Sequence, residues 1–339
     1  MGVNKKYNLK LGSIKRGNLN LITDVEGVKV GHKTLNEGNI KTGVTAILPH
    51  GKNTFKEKVM ASTCVINGFG KSVGLIQIEE LGTLETPIIL TNTLSLGTCT
   101  TALVKYMLSN NDDIGKTTST VNPVVMECND GYLNDIRGLH VKEEHVFEAI
   151  KKSSDKFEEG SVGAGCGMSA YELKGGVGSS SRVVELDNKE YVVGSLVLSN
   201  CGLKKDLILD GVHIGAKIEN SEENKLEKGS IIIVIATDIP LSERQLKRVC
   251  KRASVSLSRT GSYLGNGSGD IAIGFTTANK IPHYNEKDIL KLSFIHENKI
   301  DIVFRAVVES VEESIISSML SSESTVGRDG NKRESLNFI

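Results

Sequence analysis

Short runs of branched apolar residues alternate along the chain with stretches whose apolar positions recur at helical spacing. Residues 20–34, NLITDVEGVKVGHKT, and 42–51, TGVTAILPHG, predict a strand, a turn and a second strand, because glycine and proline punctuate each run. In TPIILTNTLSLGTCTTALVKYML, residues 86–108, a buried strand leads through a glycine-containing turn into a helix that starts between Leu96 and Thr100. Residues 137–154 place Val141, Val146 and Ile150 on one side and charges on the other, which predicts a surface helix. KEYVVGSLVLSNCG (189–202) and GSIIIVIATDIP (229–240) are apolar without alternation and too short for most buried helices. They predict central strands of a sheet covered on both faces.

Toward the C-terminus, residues 242–261 predict a helix with Leu246, Val249, Cys250 and Ala253 inward, and DIAIGFTTAN (270–279) predicts a strand. A long helix over 301–320 carries a broad apolar stripe of Phe304, Val307, Val308, Val311, Ile315 and Met319. The charged segment 217–229 lacks aromatics and separates two strands, so it reads as a surface loop. Strands and helices mix without a break in composition or an internal repeat. The expectation is a single α/β domain over residues 1–339, with layers of sheet flanked by helices.

The chain has 339 residues, enough for a sizeable core, and its 39% hydrophobic and 24% charged residues argue against disorder or a fibre. Lys plus Arg and Asp plus Glu balance at 41 each, leaving no net field for a polyanion or an anionic membrane. KKYNLKLGSIKR near the start is the one modest basic patch and reads as a solvated arm, and with no Trp there are few stacking platforms for nucleic acid. No signal-type segment or membrane-length apolar run is present, so a cytoplasmic protein without nucleic-acid or membrane partners is expected. The six cysteines are spaced 29 to 49 residues apart with no CxxC pair, and the seven histidines form neither HxH nor HExxH. Buried reduced thiols and no metal site follow from that spacing.

Candidate chemistry centres on SRTGSYLGNGSGDIAIGFTTANK, residues 258–280, where three glycines alternate with small polar residues around Ser268. A phosphate loop would need a Lys after its glycines or a strand-to-helix setting, and GNGSGD has neither. Two readings stay open on the local sequence. One is a tight turn in which the glycines supply positive φ and Asn266 bonds its own backbone. The other is an internal acyl transfer: the Ser268 hydroxyl attacks the unshielded Gly267 carbonyl, the acyl group moves from nitrogen to oxygen, and water cleaves the ester. Ser268 then becomes an N-terminus whose α-amine, with an ordinary pKa near 8, can serve as its own general base.

The chain resembles the self-processing aminopeptidases that include the L-aminopeptidase/D-esterases and the β-peptidyl aminopeptidases, peptidase family S58. The resemblance is carried in order by ITDVEGVKVGH, TGVTAILPHG, NGFGKSVGLIQIEELGTLETPIILTNT, ECNDGYLNDIRG, SVGAGCGMSAYELKGGVGSSSR, GSIIIVIATDIPLS, RTGSYLGNGSGDIAIGFTTAN and VGRDG. It implies an αββα four-layer sandwich like that of N-terminal-nucleophile hydrolases and cleavage between Gly267 and Ser268 into fragments 1–267 and 268–339 that stay associated. It further implies no metal or organic cofactor, short peptide, amide or ester substrates, and a homo-oligomer such as a tetramer.

By the same resemblance Ser268 is the nucleophile, Asn200 an oxyanion donor and Tyr132 a second polar group of the site. Ser310 and Glu312 match a serine–glutamate pair that orients the nucleophile. Two positions on a helix lie about 200° apart, so both cannot point fully at one spot, and Glu313 competes with Glu312. Asn67 and Gly68, with Glu79, Glu80 and Glu85, are candidates for shaping the pocket. An acyltransferase with a self-generated nucleophile, and a non-catalytic small-molecule-binding scaffold that keeps the turn, are the alternative readings.

Overall fold

The computed structural model describes residues 9–217 and 226–338. Residues 1–8 of the basic arm and most of the charged loop, 218–225, lie outside the described residues. The main strands are β1 (Lys29–Glu37), β2 (Ile40–Leu48), β3 (Glu57–Gly68), β4 (Thr83–Leu84), β5 (Ile88–Asn92), β6 (Val124–Cys128), β7 (Gly176–Leu186), β8 (Lys189–Asn200), β9 (Lys228–Thr237) and β10 (Gly267–Pro282). The helices are α1 (Leu75–Leu81), α2 (Leu96–Asn110), α3 (Glu143–Lys151), α4 (Glu243–Lys251), α5 (Ala253–Thr260) and α6 (Asp301–Leu320).

A four-stranded sheet runs β1-β2-β5-β6 and a six-stranded sheet runs β4-β3-β10-β9-β8-β7. Their facing surfaces make one core, with Ile47, Leu90 and Met126 against Leu198, Ile232, Val234 and Ile273. The outer face of the smaller sheet packs Val44, Ile89 and Val125 on Cys99, Leu103 and Ile150 of α2 and α3. The outer face of the larger sheet packs Val197, Ile231, Ile233 and Ala272 on Leu246, Leu257, Val307 and Val311 of α4, α5 and α6. The order is helix, sheet, sheet, helix. Residues 231–236 send alternate side chains into two different cores, which is why this run shows no polar alternation.

Two local expectations are corrected. The helix over 242–261 is two helices, with a break at Arg252. The last strand opens at Gly267 rather than Asp270, so Ser268 lies inside the sheet, opposite Gly229 of β9 in parallel register. Along the middle of α6, Glu309, Glu312 and Glu313 are all buried. The helix is sandwiched between β7–β8, α5 and the N-terminal segment. Its acids persist there because they are paired: Arg182, fully buried, reaches Glu313 Oε2 at 2.7 Å and Glu309 Oε2 at 3.4 Å. The backbone N–H groups of Ser13 and Ile14 donate to the same Glu309 oxygen at 3.0 and 2.9 Å.

Candidate active site

After α5 the chain must reverse into the middle of the larger sheet within six residues. Leu264 takes a left-handed conformation, φ 60°, which costs a non-glycine residue about 1–2 kcal/mol. Glu227 holds the turn from outside: its Oε2 accepts from Tyr263 N at 3.0 Å, and its own backbone N donates to the Tyr263 hydroxyl at 2.7 Å. Ser268 N donates to Gly265 O at 2.8 Å and closes the turn.

Positive φ at Gly265, Gly267 and Gly269 does not occur; Gly265 and Gly269 act through space. A Cβ on Gly265 would lie 2.5 Å from Glu227 O, and one on Gly269 would lie 2.5 Å from Phe69 O. Around Gly267 the nearest atom to such a Cβ is Lys228 Cγ at 3.5 Å, an ordinary contact, so space does not demand a glycine there.

Ser268 is fully buried, and its Oγ donates to Asp270 Oδ1 at 2.7 Å. Two positions apart on a strand, the side chains share a face. Asp270 Oδ2 is buried without a partner, and burial pushes the carboxyl up to about 6, partly opposed by the Ser268 hydrogen bond. The Ser268 carbonyl accepts from Phe69 N at 3.3 Å and from Asn67 Nδ2, which also donates to Gly265 O at 2.9 Å. Asn67 is thus a clamp on the turn.

Of the other pocket candidates, Glu79 pairs with Lys247, Glu85 with Lys58, and Glu80 is exposed. Besides Asp270 and Glu227, a further acid of this region is Glu127, buried near the end of β6, which sequence reasoning missed. It accepts from Lys71 N at 3.0 Å and from the Thr93 hydroxyl. A Cβ on Gly70 would lie 3.7 Å from Glu127 Oε1 and 3.9 Å from Gly269 Cα, so the carboxylate and the residue after Ser268 flank one small space. Its signal was its place in ECND, at the end of an apolar run.

Asn200 closes β8, opposite Ser230 of β9, which in turn is opposite Gly269 of β10. That row puts it two strands, about 10 Å, from Gly269, the neighbour of Ser268. Its Oδ1 accepts from Ser169 N at 2.9 Å, which leaves the Nδ2 hydrogens as the donors. Tyr132 joins through a relay: Arg333 lies 3.6 Å over its ring and donates from Nε to Ser169 Oγ at 3.1 Å. Asn200 and Tyr132 therefore belong to one polar cluster at the same end of the sheets as Ser268.

Ser310 and Glu312 are not brought to Ser268. Ser310 Oγ meets Ser195 Oγ at 2.6 Å, and Ser195 lies in the row of Ile235 and Gly274, six residues along β10 from Ser268. At about 3.3 Å per residue that is roughly 20 Å. Glu312 turns the other way to Arg259, and Glu313 turns to Arg16 and Arg182. The divergence is the one helical geometry requires.

No three His, Cys, Asp or Glu residues are grouped to hold a metal ion, and no helix is long and apolar enough to cross a membrane, among the described residues. Two clefts, of about 230 and 540 Å³, are lined by residues around His50 and around Glu159 and do not include Ser268.

The peptidase family S58 pattern matches residues 20–333. The chain belongs to peptidase family S58. As an S58 member it is 36% identical over 341 residues to the β-peptidyl aminopeptidase BapA of Sphingosinicella microcystinivorans, covering 93% of this chain and 85% of that protein. Its structure is similar to that of the PH0078 protein of Pyrococcus horikoshii, with TM-score 0.94, 54% identity, and 98% and 95% of the two chains covered. It is also similar to the L-aminopeptidase D-Ala-esterase/amidase of Ochrobactrum anthropi, with TM-score 0.91, 35% identity, and 98% and 94% covered. The latter is described as a prototype for the serine aminopeptidases and a variant of the N-terminal-nucleophile hydrolase fold. The layer order of this S58 chain agrees with that fold.

Proposed function

We propose that the chain cleaves itself between Gly267 and Ser268, and that the freed Ser268 carries out the reaction with its hydroxyl as nucleophile and its α-amine as base. The protein is a serine aminopeptidase, amidase and esterase acting on short peptides and esters. An acyl-enzyme forms on Ser268, the leaving amine or alcohol departs, and water releases the acid. Asn200 Nδ2 donates to the developing oxyanion, Tyr132 lines the same end, and Glu127 receives the ammonium of the substrate's first residue. The observation that carries the reading is the buried Ser268 hydroxyl on the Asp270 carboxylate, directly after Gly267, in an S58 chain.

Fragments 1–267 and 268–339 stay one unit because β10 lies between β3 and β9 in the larger sheet. Separating them would expose apolar surface at about 25 cal/mol per Å². Assembly as a homo-oligomer and residence in the cytoplasm complete the proposal. The test is turnover of aminoacyl amides and p-nitroanilides that differ in the first residue, with and without a free amine. Release that requires the free amine and vanishes in Ser268→Ala supports the reading. Release that survives in Ser268→Ala overturns it, and product analysis with an added amine separates hydrolysis from acyl transfer.

A further inference from the structure

Before cleavage the Ser268 nitrogen is an amide, so it cannot take the proton that the hydroxyl must lose; something else does. We infer that Asp270 is the general base of the self-cleavage step, a role confined to the uncleaved chain and resting on the Gly267–Ser268 reading above. Its Oδ1 accepts the Ser268 Oγ hydrogen bond at 2.7 Å, within the distance a proton acceptor needs. Its Oδ2 is buried and unpartnered, so the carboxylate is not engaged by a cation that would weaken it as a base. The strand fixes both side chains on one face, and Gly269 between them cannot be larger without meeting Phe69 O.

The step balances without a further reactant. Oδ1 takes the Oγ proton as the Oγ–C bond to the Gly267 carbonyl forms. The tetrahedral intermediate collapses with rupture of the Gly267 C–Ser268 N bond, and the proton held on Asp270 passes to the departing nitrogen. The product is an ester between Gly267 and Ser268 Oγ with a free amine. Water then adds to that ester, its hydroxyl going to the Gly267 carboxyl and a proton returning to Oγ. From this point the amine is available, and the need for Asp270 as base ends.

The carboxyl of Asp270 sits with Glu227, Cys201 and Cys128 facing it, and Glu227 adds to the upward push of burial toward about 6. A base must be ionised, so cleavage should accelerate as pH rises through about 6 and level off above it. Full-length chain is made by cell-free synthesis, quenched in denaturant at successive times and pH values, and scored by intact mass. Asp270→Asn should slow cleavage by on the order of 100-fold and erase the inflection, and Asp270→Glu should restore part of the rate with a shifted inflection. A merely structural Asp270 would leave the pH profile in place. Asp270→Asn cleaving at the wild-type rate, or keeping the wild-type inflection, overturns the inference. If Asp270→Asn does not fold, Asp270→Glu decides: a shifted inflection supports the role and an unshifted one overturns it. A wild-type chain that never cleaves at Ser268 instead defeats the underlying reading, and the role with it.

Discussion

Buried serine hydroxyls occur at the seam between the larger sheet and α6 and at the start of β10, and the two places differ in what receives their protons. On its helix-covered face, Ser180, Ser195, Ser310 and Ser314 bond one another, with Ser195 Oγ 2.6 Å from Ser310 Oγ and 2.7 Å from Ser314 Oγ. The seam lets α6 approach β7 so closely that a Cβ on Gly178 would lie 2.0 Å from Ser314 O. The hydroxyls there bond one another and backbone carbonyls, all neutral partners, so the seam is packing. At the start of β10, Ser268 instead donates to the carboxylate of Asp270, two positions along the same strand, and directly follows Gly267. Burial is common to both. Ser181 and Ser317 also donate to carboxylates, Asp24 and Glu159, that come from elsewhere in the chain; Ser268 is set apart by an acceptor on its own strand and by its place directly after Gly267.

Substitutions can break that contrast, beginning with the largest effect. Ser268→Ala should abolish cleavage and lower turnover by on the order of 10⁴- to 10⁶-fold, read by fragment formation and p-nitroaniline release. Arg182→Met leaves Glu309 and Glu313 buried against the seam's helix without their guanidinium, which should cost about 3–5 kcal/mol in urea unfolding of the uncleaved Ser268→Ala background. Asn200→Ala should lower kcat by on the order of 10²- to 10³-fold with KM little changed, as removal of one oxyanion donor does. Glu127→Gln should weaken binding of substrates with a free amine by about 1.5–3 kcal/mol, seen as a raised KM that N-acylated esters do not share. Ser310→Ala should cost about 1 kcal/mol of stability and leave cleavage and turnover nearly intact. A loss of turnover there as large as at Ser268 would erase the distinction between the two groups.

The layers were legible in the sequence because strand and helix periods are local. The runs at 189–200 and 228–237 lacked polar alternation, and that lack marked them as strands covered on both faces. Ser268 stood out as a candidate because its motif is contiguous and the chain-wide resemblance is dense. Asn200 and Tyr132 are far apart in sequence, and only the Arg333–Ser169 relay shows how they meet. Ser310 and Glu312 were chosen by spacing along one helix, and spacing says nothing about which row of the sheet that helix crosses. Glu127 escaped because a lone acid after an apolar run gains meaning only when the 67–71 loop folds beside it. The glycines of GNGSGD suggested positive φ, whereas close backbone approach is what two of them satisfy and Leu264 takes the left-handed turn.

The decisive quantity is the mass of the purified protein under denaturing conditions. Self-cleavage at the nucleophile requires two species, corresponding to residues 1–267 and 268–339, with the second beginning at Ser268. A single species of the full 339 residues that persists on prolonged incubation would contradict it.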